Sequence, residues 1–278
     1  MILVTGGSGQ LGTAFRRLLP DAVFPARSEF DLSEPESIPG VLDRLRPTTI
    51  INCAAYTAVD RAESEPDVAM DVNGHSVGAL ARWVGRNGAR LTTFSTDYVF
   101  DGVSLDPYVE SSPTHPLNVY GASKLLGERL AAESDAGALV VRTAWLLSTT
   151  HPNFVSKILE RARRGPVQVV TDQTGCPTFV DDLARASAAL LDGGATGLCH
   201  VVNSGSATWF DLAVAAVTAA GLDPALVEPT TSDSFPTEAR RPAHSVLASE
   251  RSDVAATPHW RDRIGDLVSR ISAEGPGS

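Results

Sequence analysis

The strongest constraint on this chain lies in its first twelve residues. Ile2-Leu-Val-Thr5 is an apolar run without polar alternation, and it leads straight into Gly6-Gly-Ser-Gly9-Gln-Leu-Gly12. A G-x-x-G-x-x-G segment between a buried strand and a helix has a specific physical use. The backbone must turn sharply, approach a pyrophosphate closely and let the helix pack on the strand, and side chains would obstruct all three. The helix N-terminus then presents free N–H groups to the phosphates. Gly6, Gly9, Gln10, Leu11 and Gly12 are therefore the first candidate cofactor-binding residues.

Short apolar runs recur along the chain, each followed by a helix-like stretch. Strands are expected at 22–26, 49–54, 90–95, 139–143, 166–170 and 198–202. Helices are expected at 10–19, 35–46, 66–86, 120–133 and 208–220, the second with Ser33 and Glu36 as a capping box. Strands too apolar to leave one face in water imply a parallel sheet covered on both sides. The fold class is thus α/β: a Rossmann-type, doubly wound parallel sheet with a smaller C-terminal α/β substrate domain. Residues 1–150 form the dinucleotide-binding domain. Residues 151–278 form mainly the substrate domain, with segments of about 166–202 returning to the Rossmann sheet. The stretch 228–245 is rich in proline, threonine, serine and charge, and the tail 274–278 is expected to fray.

Tyr120-Gly-Ala-Ser-Lys124 is Y-x-x-x-K at the start of an expected helix. Residues four apart share a helix face, so phenol and ammonium can meet at one substrate. A tyrosine titrates near pH 10, and a neighbouring ammonium favours the phenolate. The lysine can also hold the nicotinamide ribose of a cofactor. Ser95 and Thr96 close the fourth expected strand, at the carboxyl edge where such sheets place ligands. A hydroxyl there can orient a carbonyl and stabilise developing negative charge. The end of the second strand discriminates NAD from NADP, through an acid on the ribose diol or an arginine on the 2′-phosphate. Here it carries Arg27 and no acid, which favours NADPH or tolerance of both NADPH and NADH.

Composition removes several other classes. A net charge of -10 does not fit a nucleic-acid binder, which carries a basic stripe. Three cysteines without C-x-x-C spacing, and scattered histidines, give no metal site. No run approaches a membrane span, and the N-terminus lacks the features of a signal peptide, so the chain reads as cytoplasmic.

Longer phrases carry a resemblance. They are Asn52-Cys-Ala-Ala-Tyr-Thr-Ala-Val-Asp60, Ser95-Thr-Asp-Tyr-Val-Phe-Asp-Gly102, Pro116-Leu-Asn-Val-Tyr-Gly-Ala-Ser-Lys124, Arg142-Thr-Ala-Trp145, Asp172-Gln-Thr-Gly-Cys-Pro-Thr178 and Arg241-Pro-Ala-His-Ser245. Together with Gly6 to Gly12 they resemble the extended short-chain dehydrogenase/reductase superfamily, and within it the dTDP-4-dehydrorhamnose reductase family, over nearly the whole chain. The resemblance implies NAD(P)H-dependent reduction of the C4 ketone of dTDP-4-dehydro-L-rhamnose to dTDP-L-rhamnose. It makes Thr96 the carbonyl-orienting hydroxyl, Tyr120 the proton donor and Lys124 its partner. Asp31 and Leu32 would lie near the adenine, and Ala54, Ala55, Tyr56, Asn73 and Ser95 along the cofactor. Val59, Asp97, Tyr98, Trp145 and Asn153 would lie near the sugar, and Arg241 at its nucleotide end.

Two departures from the family pattern stand out. Some bacterial members bind Mg²⁺ at a dimer interface through an early glutamate; Ala14 stands there, so a monomer or weak homodimer without a bridging metal is expected. The loop Ser148-Thr-Thr-His-Pro-Asn153 replaces a more glycine-rich form. The competing readings are a dehydratase or epimerase, a non-catalytic regulatory relative, and a reductase of another nucleotide-activated 4-keto-deoxysugar. Dehydratases of this superfamily carry an Asp-Glu pair after the threonine, whereas Tyr98 follows Asp97 here. A regulatory relative would lack the tyrosine or the lysine. Another 4-keto sugar would leave the catalytic residues unchanged.

Overall fold

Side chains in the central strands alternate between two cores. Leu3, Ile50, Leu91 and Val140 point to one face, and Val4, Ile51 and Val141 to the other. They belong to β1 (Ile2–Thr5), β2 (Thr49–Asn52), β3 (Arg90–Thr96) and β4 (Leu139–Thr143), which with the strand Gly197–His200 form a five-stranded sheet in that order. Every neighbouring pair is parallel. The computed structural model describes residues 1–134 and 137–274; residues 275–278 of the tail expected to fray lie outside them.

Helix α1 (Gln10–Leu18) and a later helix, α8 (Val180–Asp192), cover one face through Leu11, Phe15, Leu183 and Leu190. The other face is covered by α2 (Ile38–Leu45), α5 (Ser76–Asn87) and α6 (Val119–Ala132), with Leu42, Leu80, Trp83 and Ala131 inward. Phe15 and Leu80 are fully buried, and burial of each contributes roughly 1.5–3 kcal/mol. The short helices α3 (Val59–Ser64) and α4 (Pro66–Met70) lie between β2 and α5.

A third core sits apart, between α7 (Phe154–Ala162), α9 (Trp209–Ala219) and α10 (Trp260–Glu274). Val155, Leu159, Leu212, Val217, Trp260 and Leu267 fill it. Thr208 caps α9 in a reciprocal box: its hydroxyl accepts the Asp211 N–H, and the Asp211 carboxylate accepts the Thr208 N–H.

Four local expectations change. Residues 22–26 do not form a full strand: only Val23 pairs, through Val4 N–H to Val23 O and Val23 N–H to Ile2 O. Pro25 has no N–H to extend that ladder. The strand Val167–Val170 does not enter the large sheet but pairs in parallel with Val227–Thr230, against α9. In the expected span of about 166–202, the large sheet takes only Gly197–His200. The Ser33–Glu36 capping box does not form; Ser33 donates both N–H and hydroxyl to Asp31, and α2 starts after a 3-10 turn at Pro35–Ser37. The helix expected at 66–86 is interrupted by a π turn at Asp71–His75. Such turns redirect side chains, and this one carries Asn73.

Among the described residues, no helix is long and apolar enough to cross a membrane. None of their His, Cys, Asp and Glu side chains gather in groups of three or more for a metal ion.

Candidate active site

Val23 flanks β1 on one side and β2 on the other, so the chain reverses direction of growth at β1. Ligands bind at the carboxyl end of such a switch point, and a cleft of about 1320 Å³ opens there. Gly6, in the left-handed region at φ 65°, begins the turn, and Gly9 N–H closes it on Gly6 O at 2.9 Å. A Cβ at Gly12 would collide with Gly6 O, so this glycine is required for α1 to approach β1. Gly12 shapes the turn from behind, whereas Gly6, Gly9, Gln10 and Leu11 line the cleft.

These residues fit a dinucleotide. The first turn of α1 has no acidic residue and no side-chain cap, so its leading N–H groups face the cleft without an internal competitor. The buried Gln10 Oε1 has no hydrogen-bond partner among the described residues. Arg27, Asp31, Leu32, Ala54, Ala55 and Tyr56 line the same half of the cleft. Arg27 is 77% exposed at its side chain and pairs with Asp31 at 3.3 Å. The Ser33 N–H holds the Asp31 carboxyl below its usual range, against burial, with help from the Ser33 hydroxyl and Arg27. Asn73 does not reach the cleft. Its Oδ1 accepts the Tyr56 N–H at 2.9 Å and its Nδ2 donates to Tyr56 O and Ser123 Oγ, so it fixes the loop that carries Tyr56.

At the other end Thr96 closes β3, and its hydroxyl accepts the Tyr98 N–H to cap a 3-10 turn at Asp97–Val99. Asn118 caps α6 by accepting the Gly121 N–H at 2.7 Å. Gly121 presses against the Tyr98 carbonyl with no room for a side chain. That contact brings the Tyr120 and Tyr98 rings edge to face, 5.8 Å apart. Burial pushes the Tyr120 phenol up to about 12, with the Thr96 hydroxyl beside it pulling the other way. Lys124, one turn further, is lowered to about 8 by burial, opposed by the Glu128 charge. The sequence led to an expectation of a phenol lowered by its lysine; here desolvation dominates and the phenol is held neutral.

Behind this pair, Glu128 binds Arg142 through two hydrogen bonds of 2.9 and 2.7 Å and accepts the Ser95 hydroxyl. Ser95 lines the cleft, yet its hydroxyl is spent on this buried pair rather than aimed at a ligand. Asp97 accepts hydrogen bonds from Thr96 at 3.0 Å and Ser245 at 2.5 Å. Burial nevertheless raises its carboxyl to about 6.

The substrate side has an aromatic wall. Trp145, in the left-handed region at φ 45°, stacks on Trp209 with centroids 3.5 Å apart and planes 4° apart. Val59, Asp97, Tyr98 and Trp145 all line the cleft. Asn153 and Arg241 do not. Asn153 caps α7, its Oδ1 accepting the Val155 and Ser156 N–H groups and its Nδ2 donating to Ser148 O and His151 O. Arg241 donates to Asp60 at 2.8 Å and stands 5.9 Å from the Tyr98 ring, tying the late loop to α3. His151 was not singled out from sequence, but its Nε2–H crosses the cleft mouth to Ser8 O at 2.8 Å. Trp209 and Arg16 also line the cleft without having been anticipated. The Thr208–Asp211 spacing could have marked Trp209 as the first residue of a helix; nothing in the local sequence marks Arg16.

The RmlD substrate binding domain family matches residues 1–273. A dTDP-4-dehydrorhamnose reductase of Burkholderia thailandensis is 38% identical, covering 97% of this chain and 99% of its own. A dTDP-4-keto-6-deoxy-D-glucose reductase of Streptomyces niveus is 39% identical over 98% of each. Among solved structures, dTDP-4-dehydrorhamnose reductase of Bacillus anthracis in complex with NADP superposes with a TM-score of 0.90 over 98% of each chain, at 32% identity. The chain belongs to the RmlD substrate binding domain family, within the Rossmann-type superfamily that its sequence resembles.

Proposed function

We propose that this chain is an NAD(P)H-dependent reductase that converts the C4 ketone of dTDP-4-dehydro-L-rhamnose to the alcohol of dTDP-L-rhamnose. One observation carries the reading: a half-buried tyrosine phenol, a threonine hydroxyl and a buried lysine share one end of a cleft whose other end is a glycine turn. The relatives named for this reaction add support because they align end to end.

When bound, NADPH or NADH supplies the hydride that reaches C4. Thr96 Oγ1 orients the ketone oxygen by turning its hydroxyl proton from Asp97, its acceptor at 3.0 Å, to that oxygen. Tyr120 Oη donates its proton to that oxygen as negative charge develops, which forms the product hydroxyl and leaves a phenolate. A phenol held at about 12 still carries its proton at neutral pH, the state a donor needs. The Lys124 ammonium, largely retained below pH 8, offsets the phenolate charge and offers donors to the cofactor ribose. Asn73 acts at one remove, by fixing Tyr56. Arg241 acts in the same indirect way, through Asp60 and Tyr98, rather than by direct contact with the nucleotide.

The experiment is oxidation of NADPH and of NADH, followed by absorbance, with the 4-keto-L-rhamnose nucleotide generated in the same tube. Rapid oxidation that depends on the sugar supports the proposal. Cofactor binding without such oxidation overturns the rhamnose assignment. A second reading, reduction of another dTDP-activated 4-keto-6-deoxysugar, draws on the equally similar Streptomyces niveus relative. Supplying dTDP-4-keto-6-deoxy-D-glucose in place of the 4-keto-L-rhamnose nucleotide separates the two.

A further inference from the structure

We propose that Arg16, rather than Arg27, is the principal ligand of the NADPH 2′-phosphate, and that it makes NADPH the preferred cofactor. The proposal rests on the dinucleotide reading of the cleft and adds the residue that discriminates between the two dinucleotides.

Three arginines line the cleft: Arg16, Arg27 and Arg61. Arg61 is paired with Glu65 at 2.6 Å, and Arg27 with Asp31 at 3.3 Å. Arg16 makes no ion pair and no hydrogen bond with any described residue. Its guanidinium is nevertheless held, because its central carbon lies 4.2 Å from the centroid of the Phe24 ring. Stacking uses the face of a guanidinium and leaves its five N–H donors in the plane, free for an anion. An unpaired but positioned arginine is the arrangement that bidentate phosphate recognition requires.

Its location fits the same ligand atom. Arg16 lies one turn after Gly12 on α1, and long helical side chains lean back towards the helix N-terminus. A Cβ on Gly7 would lie 3.0 Å from an Arg16 Nη and 2.8 Å from Phe24 Cδ1. The guanidinium therefore sits between the glycine turn and the segment following Val23, the only residue there that pairs with β1. In this fold the adenosine ribose lies between those two segments, and its 2′ position faces the end of the second strand. Phe24 and Pro25 stand there, and neither is acidic. Two carboxylates line that edge: Asp31, whose charge is engaged by Ser33 and Arg27, and Glu29, which accepts the Ala26 N–H at 2.9 Å. Arg27 thus acts as a screen over Asp31, and Arg16 as the donor.

Direct titration of the purified full-length chain with NADPH, NADH, 2′,5′-ADP and 5′-ADP, without sugar, tests this. Wild type is expected to bind NADPH at least tenfold tighter than NADH, and 2′,5′-ADP tighter than 5′-ADP. Arg16→Ala should weaken NADPH and 2′,5′-ADP by roughly 10- to 100-fold, the range for loss of a charge-assisted pair, with NADH changed less than twofold. Arg16→Lys should recover part of the loss, and Arg27→Ala should cost NADPH less than Arg16→Ala. Equal losses for NADPH and NADH, or no loss for either, overturn the assignment, as does Arg27→Ala alone abolishing the preference. Arg16 is exposed, so its replacement leaves the core intact. Failure of wild type to bind either dinucleotide would instead overturn the cofactor reading, and an inert sugar would leave these titrations unaffected.

Discussion

The two ends of the cleft are built by different means. The glycine end is made of backbone: a left-handed Gly6, a close approach at Gly12 and an uncapped helix start. The tyrosine end is made of side chains that hold one another, from Thr96 and Asp97 to Lys124, Glu128 and Arg142. A backbone site tolerates a range of ligands with phosphates, because N–H groups and a helix terminus recognise charge and little else. A buried side-chain network fixes protonation states, since desolvation moves each group by an amount its neighbours decide. Binding and chemistry should therefore be separable by mutation.

The sharpest break between the two ends is Tyr120→Phe. It removes one hydroxyl at the side-chain end, so turnover should fall about 10²–10⁴-fold while NADPH affinity stays within twofold. Near-normal turnover would dissolve the distinction. Next is Glu128→Ala, which strands the buried Arg142, 3% exposed. Removing one partner of such a pair costs about 3–5 kcal/mol, read as a lower midpoint in urea. An unchanged midpoint would mean that the network is ornamental to stability.

The pH profile gives a smaller effect. Lys124 has a lowered pKa of about 8, so its charged form dominates below that pH and disappears above it. kcat/KM for reduction should accordingly fall by up to tenfold per unit as pH rises past 8, with dinucleotide affinity at the glycine end falling less. A flat profile to pH 10 removes Lys124 from the charge balance. The smallest effect is expected from Asn153→Ala, which deletes a helix cap and costs about 0.5–2 kcal/mol. Its KM for sugar should stay unchanged, and a large rise in KM would return Asn153 to the substrate site.

What could be read from sequence follows the same division. The glycine turn was legible because three positions at fixed spacing must each lack a side chain for separate reasons. The alternation of Leu3 with Val4 and of Ile50 with Ile51 announced a sheet covered on both faces. Tyr120 and Lys124 were legible because one helical turn separates them. Asn73 and Arg241 do not line the cleft because their partners lie in distant elements, and no local spacing reveals where an amide or guanidinium is spent; Asn153 is spent locally, as the cap of α7. Arg16 was invisible for the same reason, since its significance depends on Phe24 folding against α1. The strand Val167–Val170 was recognised, but its partner lies within a stretch whose prolines and serines disguised a strand.

The stacked Trp145 and Trp209 have a consequence outside catalysis. Two indoles stacked 3.5 Å apart and nearly parallel couple their electronic excitations, so they respond to light as a pair. Only four tryptophans are present in the chain, and this pair forms one wall of the cleft. The protein therefore carries its own optical gauge. Any molecule that tilts Trp145 on entering changes the near-ultraviolet dichroism of the pair, so occupancy of the sugar end can be followed without a label and without turnover.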